Sequence, residues 1–300
     1  MFVNDKYQNL TTMFNVNNDL DSGRPALNLG QSGSKISIVI GRDKLKKIKK
    51  QDERESIRFY LQYLKHKSLD TLGPQLIGHP KLLSDFQDNS YEMEYINGAP
   101  LGQFLKNASH REAALVCEHI HNYFVKLLSE ANENVANLEI LLKLEQLMNN
   151  LSKSQPESSI FLKLTKVLMN LFKSNEVPKG WNHGDFSFEN IIVESGSTKL
   201  FMIDFLDSPF ETPLLDIGRI SLDANYGWWA SGFNSSSNLQ LNSRRLNKSL
   251  DEVLLQSGIS ALLQNLFIGL AILRIVPYTI EPLRIAYLKY AAVQVERQLN

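Results

Sequence analysis

Hydrophobic and polar positions alternate in the first third of the chain and recur at helical spacing in the rest. Leu27 and Leu29 alternate with polar neighbours, and Ile36, Ile38 and Ile40 do so again. Turn chemistry separates them at Gly30-Gln31-Ser32-Gly33-Ser34 and follows them at Gly41-Arg42-Asp43. A third strand over 44–49 completes a predicted antiparallel meander, with Leu45, Lys47 and Lys49 on one face and Lys46 and Ile48 on the other. Residues 52–67 then read as a helix, with Ile57, Tyr60, Leu61 and Leu64 as its apolar face and Glu53 and Glu55 in its first turn. Alternation returns at Tyr91, Met93 and Tyr95 and stops at Asn97-Gly98, where Pro100 suits a helix start.

Beyond that point the apolar spacing is helical. Leu115 to Leu128, Ile140 to Leu151 and Ile160 to Phe172 mark three amphipathic segments, and 254–276 and 281–299 predict two closing helices. Residues 231–248, rich in Ser and Asn, read as a loop or a solvated helix start. The pattern gives an α+β protein in three parts: an Asn- and Asp-rich arm over 1–23, a small strand-rich lobe over 24–96, and a mainly helical lobe over 97–300.

Composition narrows the function classes. The 32 basic and 32 acidic residues cancel, so no broad positive field exists for nucleic acid or an anionic membrane, and any phosphate site must be local. A neutral balance also weighs against a highly cationic acceptor. The lone Cys117 excludes an intrachain disulfide and points to a reducing, cytoplasmic setting. The polar start at Asn4, Asp5 and Lys6 is unlike a signal peptide, and the late apolar stretch 266–276, interrupted by Arg274, is too short for a membrane span. His110, His119 and His121 lack the i, i+4 spacing of a helical metal pair.

The densest chemistry lies at 183–204. His183-Gly184-Asp185 precedes Asn190; two apolar runs, 191–193 and 200–203, flank the turn Glu194-Ser195-Gly196-Ser197; Asp204 follows. A hairpin is predicted, with Asp185 and Asn190 before its first strand and Asp204 after its second. One carboxylate to orient or deprotonate a hydroxyl, with an amide oxygen and a second carboxylate to hold Mg²⁺ against a triphosphate, is the equipment of a metal-nucleotide phosphotransferase.

His183-Gly184-Asp185 with Asn190, Ile203-Asp204-Phe205, and Leu215-Asp216-Ile217-Gly218-Arg219 resemble the aminoglycoside phosphotransferase and choline kinase family. The resemblance implies a bilobal protein-kinase-like fold and transfer of the γ-phosphate of ATP, with Mg²⁺, to a hydroxyl of a small metabolite. It makes Asp185 the catalytic base, His183 a shaping residue of the catalytic loop, Asn190 and Asp204 the metal ligands and Asp216 a structural acid. It offers Lys47, then Lys49, as the lysine on the nucleotide phosphates, and Glu55, then Glu53, as its helix partner. Met93-Glu94-Tyr95-Ile96 resembles the hinge, so backbone groups of Glu94 and Ile96 would meet adenine. Asp204 and Asp216 stand too close in sequence for a protein-kinase activation loop between them. Tyr226, Trp228 and Trp229 are open to two uses, lining an acceptor pocket or packing the core. The alternative class is a nucleotide-binding pseudokinase without transfer activity; metal-dependent phosphoester hydrolysis would need more ligands than this stretch offers.

Overall fold

The computed structural model describes residues 35–40, 46–51, 57–69, 76–135, 137–154, 159–206, 208, 210–232 and 236–299. The predicted strand at Leu27 and Leu29, the turns at 30–34 and 41–43, the arm over 1–23, and Glu53 and Glu55 all lie outside them.

The small lobe is an antiparallel sheet in the order β1 (Lys35–Ile40), β2 (Lys46–Gln51), β3 (Ser90–Glu94), covered by helix α1 (Ile57–Ser68). Register pairs Ile48 with Met93 and Lys50 with Tyr91. The face of α1 that packs inward is not the leucine face expected from spacing. Phe59, Tyr63 and His66 are buried, whereas Ile57 (75% exposed), Tyr60, Leu61 and Leu64 face outward. Aromatic area explains the choice: Phe59 stacks on Tyr91 at 5.4 Å between centroids, and Tyr63 meets Phe86 and Tyr91 at 5.4 and 5.3 Å. With Met93 these rings form a small core of their own.

The connection between lobes is itself hydrogen-bonded. A second sheet, in the order β4 (Gly98–Pro100), β7 (Ile191–Glu194), β8 (Leu200–Met202), receives Gly78 along β8. The Gly78 N–H donates to the Leu200 carbonyl, and the Met202 N–H to the Gly78 carbonyl, both at 2.8 Å. A Cβ at Gly78 would stand 3.1 Å from the Phe201 ring.

The large lobe runs α2 (Leu101–Asn107), α3 (His110–Glu130), β5 (Asn132–Val135), α4 (Asn137–Ser154), α5 (Ser159–Phe172), β6 (Pro178–Lys179), the β7–β8 hairpin, α6 (Pro213–Tyr226), α7 (Ser237–Gln256), α8 (Ala261–Ile275) and α9 (Pro282–Leu299). A capping box between Ser109 and Glu112 starts α3. Of the two readings of 231–248, the helix start holds, since α7 begins at Ser237, but it is not solvated throughout: Asn242 and Ser243 are buried. Its polar residues turn inward, because α2 leaves C-terminal carbonyls that need donors. Asn242 donates to the Leu105 carbonyl at 2.9 Å, and Asn238 to those of Lys106 and Ala108 at 3.0 Å.

Helix α8 is the central element, packed against α5, α6 and α9. Leu266 to Leu273 are buried. The 18-residue stretch Ala261–Tyr278 has the length and mean hydropathy (1.6) to cross a membrane, and more than half of it is buried inside this lobe.

Candidate active site

The hairpin brings the polar groups together. Ile191 pairs with Met202 and Val193 with Leu200, and Gly196 takes the left-handed conformation the turn needs (φ 76°). The Ile203 N–H then donates to the Asn190 carbonyl at 2.9 Å, so Asn190 and Asp204 leave the same end of the ladder. Asp204 has φ 59°, a left-handed backbone that is uncommon outside glycine but that aspartate tolerates better than most residues.

His183 is fully buried and builds the loop. Its Nε2–H donates to the Ile203 carbonyl at 2.8 Å, while Nδ1 accepts the Asp185 N–H at 3.2 Å, which fixes one neutral tautomer. Burial pushes its pKa down to about 3, outweighing the pull of Asp185. Asp216, fully buried at the start of α6, accepts the N–H groups of His183 and Gly184, the second at 2.9 Å. Burial raises its carboxyl to about 6 against the effect of those bonds. Gly184 must be glycine: its φ is 92°, and a Cβ would come within 2.6 Å of the Leu206 carbonyl oxygen.

Asp185 is held from both sides. Oδ1 accepts from Arg219 Nε at 2.8 Å, and Oδ2 accepts from Asn190 Nδ2 at 3.0 Å. Burial works to raise its pKa, but the Arg219 and Arg274 charges prevail and hold it below the ordinary carboxylate value. Arg219 also reaches Asp223 at 3.1 Å, one turn along α6, and Asp223 accepts the Phe188 N–H at 2.8 Å. Because Asn190 Nδ2 is spent on the Asp185 carboxylate and carbonyl, its Oδ1 is the atom that can turn to a cation. With the Asp204 carboxylate, 38% exposed, it forms a hard-oxygen donor pair of the kind Mg²⁺ takes.

The lysine that meets Asp204 is Lys50, through Nζ to Oδ1. Neither Lys47 nor Lys49 does so. Alternation along β2 turns those two to the other face, where Lys47 stands opposite Glu94. Lys50 is buried, and burial lowers its ammonium pKa to about 8. Glu94 ends β3, its N–H donating to the Lys81 carbonyl at 2.9 Å, and Ile96 is buried two residues on. Lys65 of α1 spans the lobes, donating to the Leu206 carbonyl and Asn182 Oδ1 at 2.9 Å each. Phe205 lies between the His183 and His66 rings, at 4.7 and 5.0 Å.

The aromatic cluster at the end of α6 makes packing contacts. Arg284 covers the Trp228 ring at 5.2 Å, Trp229 closes over Gly102, and Tyr226 packs against the core. Sequence spacing had not singled out Lys50, Lys65, Asp223 or Arg274; for Arg219 and Asp223 the i, i+4 spacing was the available signal.

A two-lobed frame with a loop carboxylate, an amide and a second carboxylate at one hairpin end, and a buried lysine reaching across, defines a protein-kinase-like phosphotransferase. The chain belongs to the phosphotransferase enzyme family, whose family model matches residues 28–236, more than half of the sequence. Among solved structures it is similar to APH(2")-IIa in its gentamicin complex, with TM-score 0.57 and 16% identity over 96% of this chain and 95% of that one. A putative fructosamine-3-kinase from Thermobifida fusca gives TM-score 0.57 and 12% identity over 90% and 92%. ADP-bound APH(2'')-Ib gives 0.52 and 15% over 98% and 97%. No curated protein matches the sequence.

Proposed function

We propose that the protein transfers the γ-phosphate of ATP, bound with Mg²⁺, to a hydroxyl of a small metabolite. The observation that carries this reading is the arrangement at the hairpin end: Lys50 on Asp204, beside an ionised Asp185 oriented by Arg219 and Asn190. The ADP bound to a structure of the same fold supports the nucleotide.

In this reading Asp185 accepts the acceptor's hydroxyl proton as its oxygen attacks the γ-phosphorus. The bond to the β–γ bridging oxygen breaks, and ADP leaves. Lys50 contacts the α- and β-phosphates, taking the role first considered for Lys47. Backbone groups of Glu94 and Ile96 hold adenine. Asn190 and Asp204 would hold Mg²⁺, whose charge offsets that of the phosphate oxygens. His183, neutral across the physiological range, keeps the Asp185 N–H and the Ile203 carbonyl in place, and Asp216 anchors the loop from below.

The test is Mg-ATP turnover over a panel of sugars, sugar acids, amino alcohols and nucleosides, with ADP binding followed by calorimetry. Asp185→Asn should lower kcat by roughly 100- to 10,000-fold, the range for loss of a general base, and leave ADP affinity within about twofold. Asp204→Ala should also weaken Mg-dependent nucleotide binding. ATP binding with no transfer to any acceptor, unaltered by Asp185→Asn, would mean a binding module rather than an enzyme.

A further inference from the structure

Three segments of the site meet at one side-chain atom. Lys65 Nζ, from the last turn of α1, donates to the Leu206 carbonyl and to Asn182 Oδ1 at 2.9 Å each. Leu206 lies two residues after Asp204, and Asn182 lies three before Asp185. The Trp181 ring is 5.8 Å from the same nitrogen, within cation–π range.

Both acceptors are themselves held. The Leu206 N–H donates to the His183 carbonyl at 3.0 Å, so with Lys65 on its carbonyl this residue is bonded at both of its peptide groups. The same carbonyl oxygen lies 2.6 Å from where a Gly184 Cβ would stand, against the catalytic loop. Asn182 is buried and donates to the Phe210 and Thr212 carbonyls at 3.2 and 3.4 Å, which links Lys65 to the N-cap of α6. The small lobe has its own anchors for α1: Phe59 and Tyr63 pack on Tyr91, and His66 Nε2 lies 2.7 Å from the Pro80 carbonyl. Lys65 instead reaches out of that core to the backbone after Asp204 and to the residue before the catalytic loop. An ammonium that leaves water for two neutral oxygens forgoes solvation, which the charge-assisted bonds offset. Those bonds secure the spacing of Asp185 and Asp204, which come from separate segments.

We propose that Lys65 is a positioning residue for phosphate transfer: it locks α1, the Asp204 segment and the catalytic loop in one arrangement, so that the metal ligand and the base are aligned together. The inference rests on the phosphotransfer reading above and adds to it a residue that acts through Leu206 and Asn182.

The test compares wild type with Lys65→Met, which keeps the stem and removes the donor, with Lys65→Gln, whose amide can still serve one of the two oxygens, and with Lys67→Met. Lys67 is exposed on the same turn and pairs with Asp85 at 3.2 Å, so it controls for loss of a charge from α1. ADP affinity is measured by calorimetry with and without Mg²⁺, kcat and KM with the best acceptor of the panel above, and stability by urea unfolding. Lys65→Met should keep metal-free ADP affinity within about twofold while the gain in affinity that Mg²⁺ confers falls by about tenfold, the scale for loss of an outer-shell partner. It should lower kcat by about 10- to 100-fold, the effect of a misplacement near ~1 Å, with the acceptor KM within about threefold. Lys65→Gln should fall between, and Lys67→Met should match wild type. A Lys65→Met protein that unfolds at lower urea yet keeps its kcat and its Mg²⁺ gain makes the lysine a structural residue and overturns the proposal, as do equal losses in Lys67→Met or a wild type whose ADP affinity ignores Mg²⁺. If Lys65→Met does not fold, Lys65→Gln decides on the same readouts. If wild type phosphorylates no acceptor while the Mg²⁺ gain still falls in Lys65→Met, the positioning role stands and the phosphotransfer reading fails. An active wild type with kcat unchanged in Lys65→Met means the reverse.

Discussion

Single atoms decide which lysine of the 46–50 run can serve the site. Lys50 Nζ meets Asp204 from a buried position, whereas Lys47 and Lys49 leave the opposite face of β2. Lys50→Met removes the cation that would face the nucleotide phosphates, so the KM for ATP should rise at least about tenfold, the scale of one lost charge-assisted contact. Lys47→Met should leave it within about twofold. Steady-state kinetics distinguish the two, and equal effects would mean that β2 presents its other face to the nucleotide. Burial has brought the Lys50 pKa down to about 8. In the free enzyme the ammonium is therefore nearly complete about one pH unit below that value, half lost at it and gone above it, and kcat/KM for ATP should decline on the alkaline side. A profile flat to pH 10 would contradict it.

At the scale of elements, the approach of α6 to α8 fixes the platform under the loop. A Cβ on Gly218 would stand 2.5 Å from the Phe267 backbone carbon and 2.6 Å from its oxygen. Backbone cannot yield as a side-chain tip can, so Gly218→Ala should destabilise by about 1–3 kcal/mol or more despite its better helix propensity, measured by urea unfolding. The same glycine stands in Leu215-Asp216-Ile217-Gly218-Arg219, so that motif was legible in the sequence for its pattern, and the close helix crossing accounts for its glycine. The β7–β8 hairpin was legible for a local reason: turn, strands and flanking polar groups all lie within about twenty residues, and its pairing needs no distant partner. Residues whose roles depend on distant elements were not. In Lys46-Lys47-Ile48-Lys49-Lys50 lysines occupy both faces, so alternation alone cannot say which one turns inward. Helix α1 offered two candidate faces, and the choice fell to the aromatic one because β3 supplies Tyr91 for it. The Ser- and Asn-rich start of α7 looked solvated because the carbonyls it serves belong to α2, more than a hundred residues away.

Across the whole molecule, two buried groups in contact pull the pH dependence of stability in opposite directions. His183 falls from an ordinary 6.5 to about 3 on folding. Between those values the unfolded chain binds a proton that the native state lacks, so this group makes stability rise with pH. Asp216 goes from 3.8 to about 6. Between those values the native state holds the extra proton, so this group makes stability fall as pH rises, with nothing further lost above pH 6. Asp185, held below its ordinary value, adds stability that is lost only as pH drops under about 4. In the window from pH 4 to pH 6 the His183 and Asp216 contributions largely cancel. Asp216→Asn removes one of them. The variant should be less stable overall by about 1–3 kcal/mol, because its amide NH₂ points at an N–H that the carboxylate accepted. Its stability should then climb from pH 4 to pH 6 more steeply than that of wild type, since only His183 still acts there. Urea denaturation at several pH values reads both terms, and a variant curve parallel to wild type would mean that Asp216 stays ionised in the native state throughout.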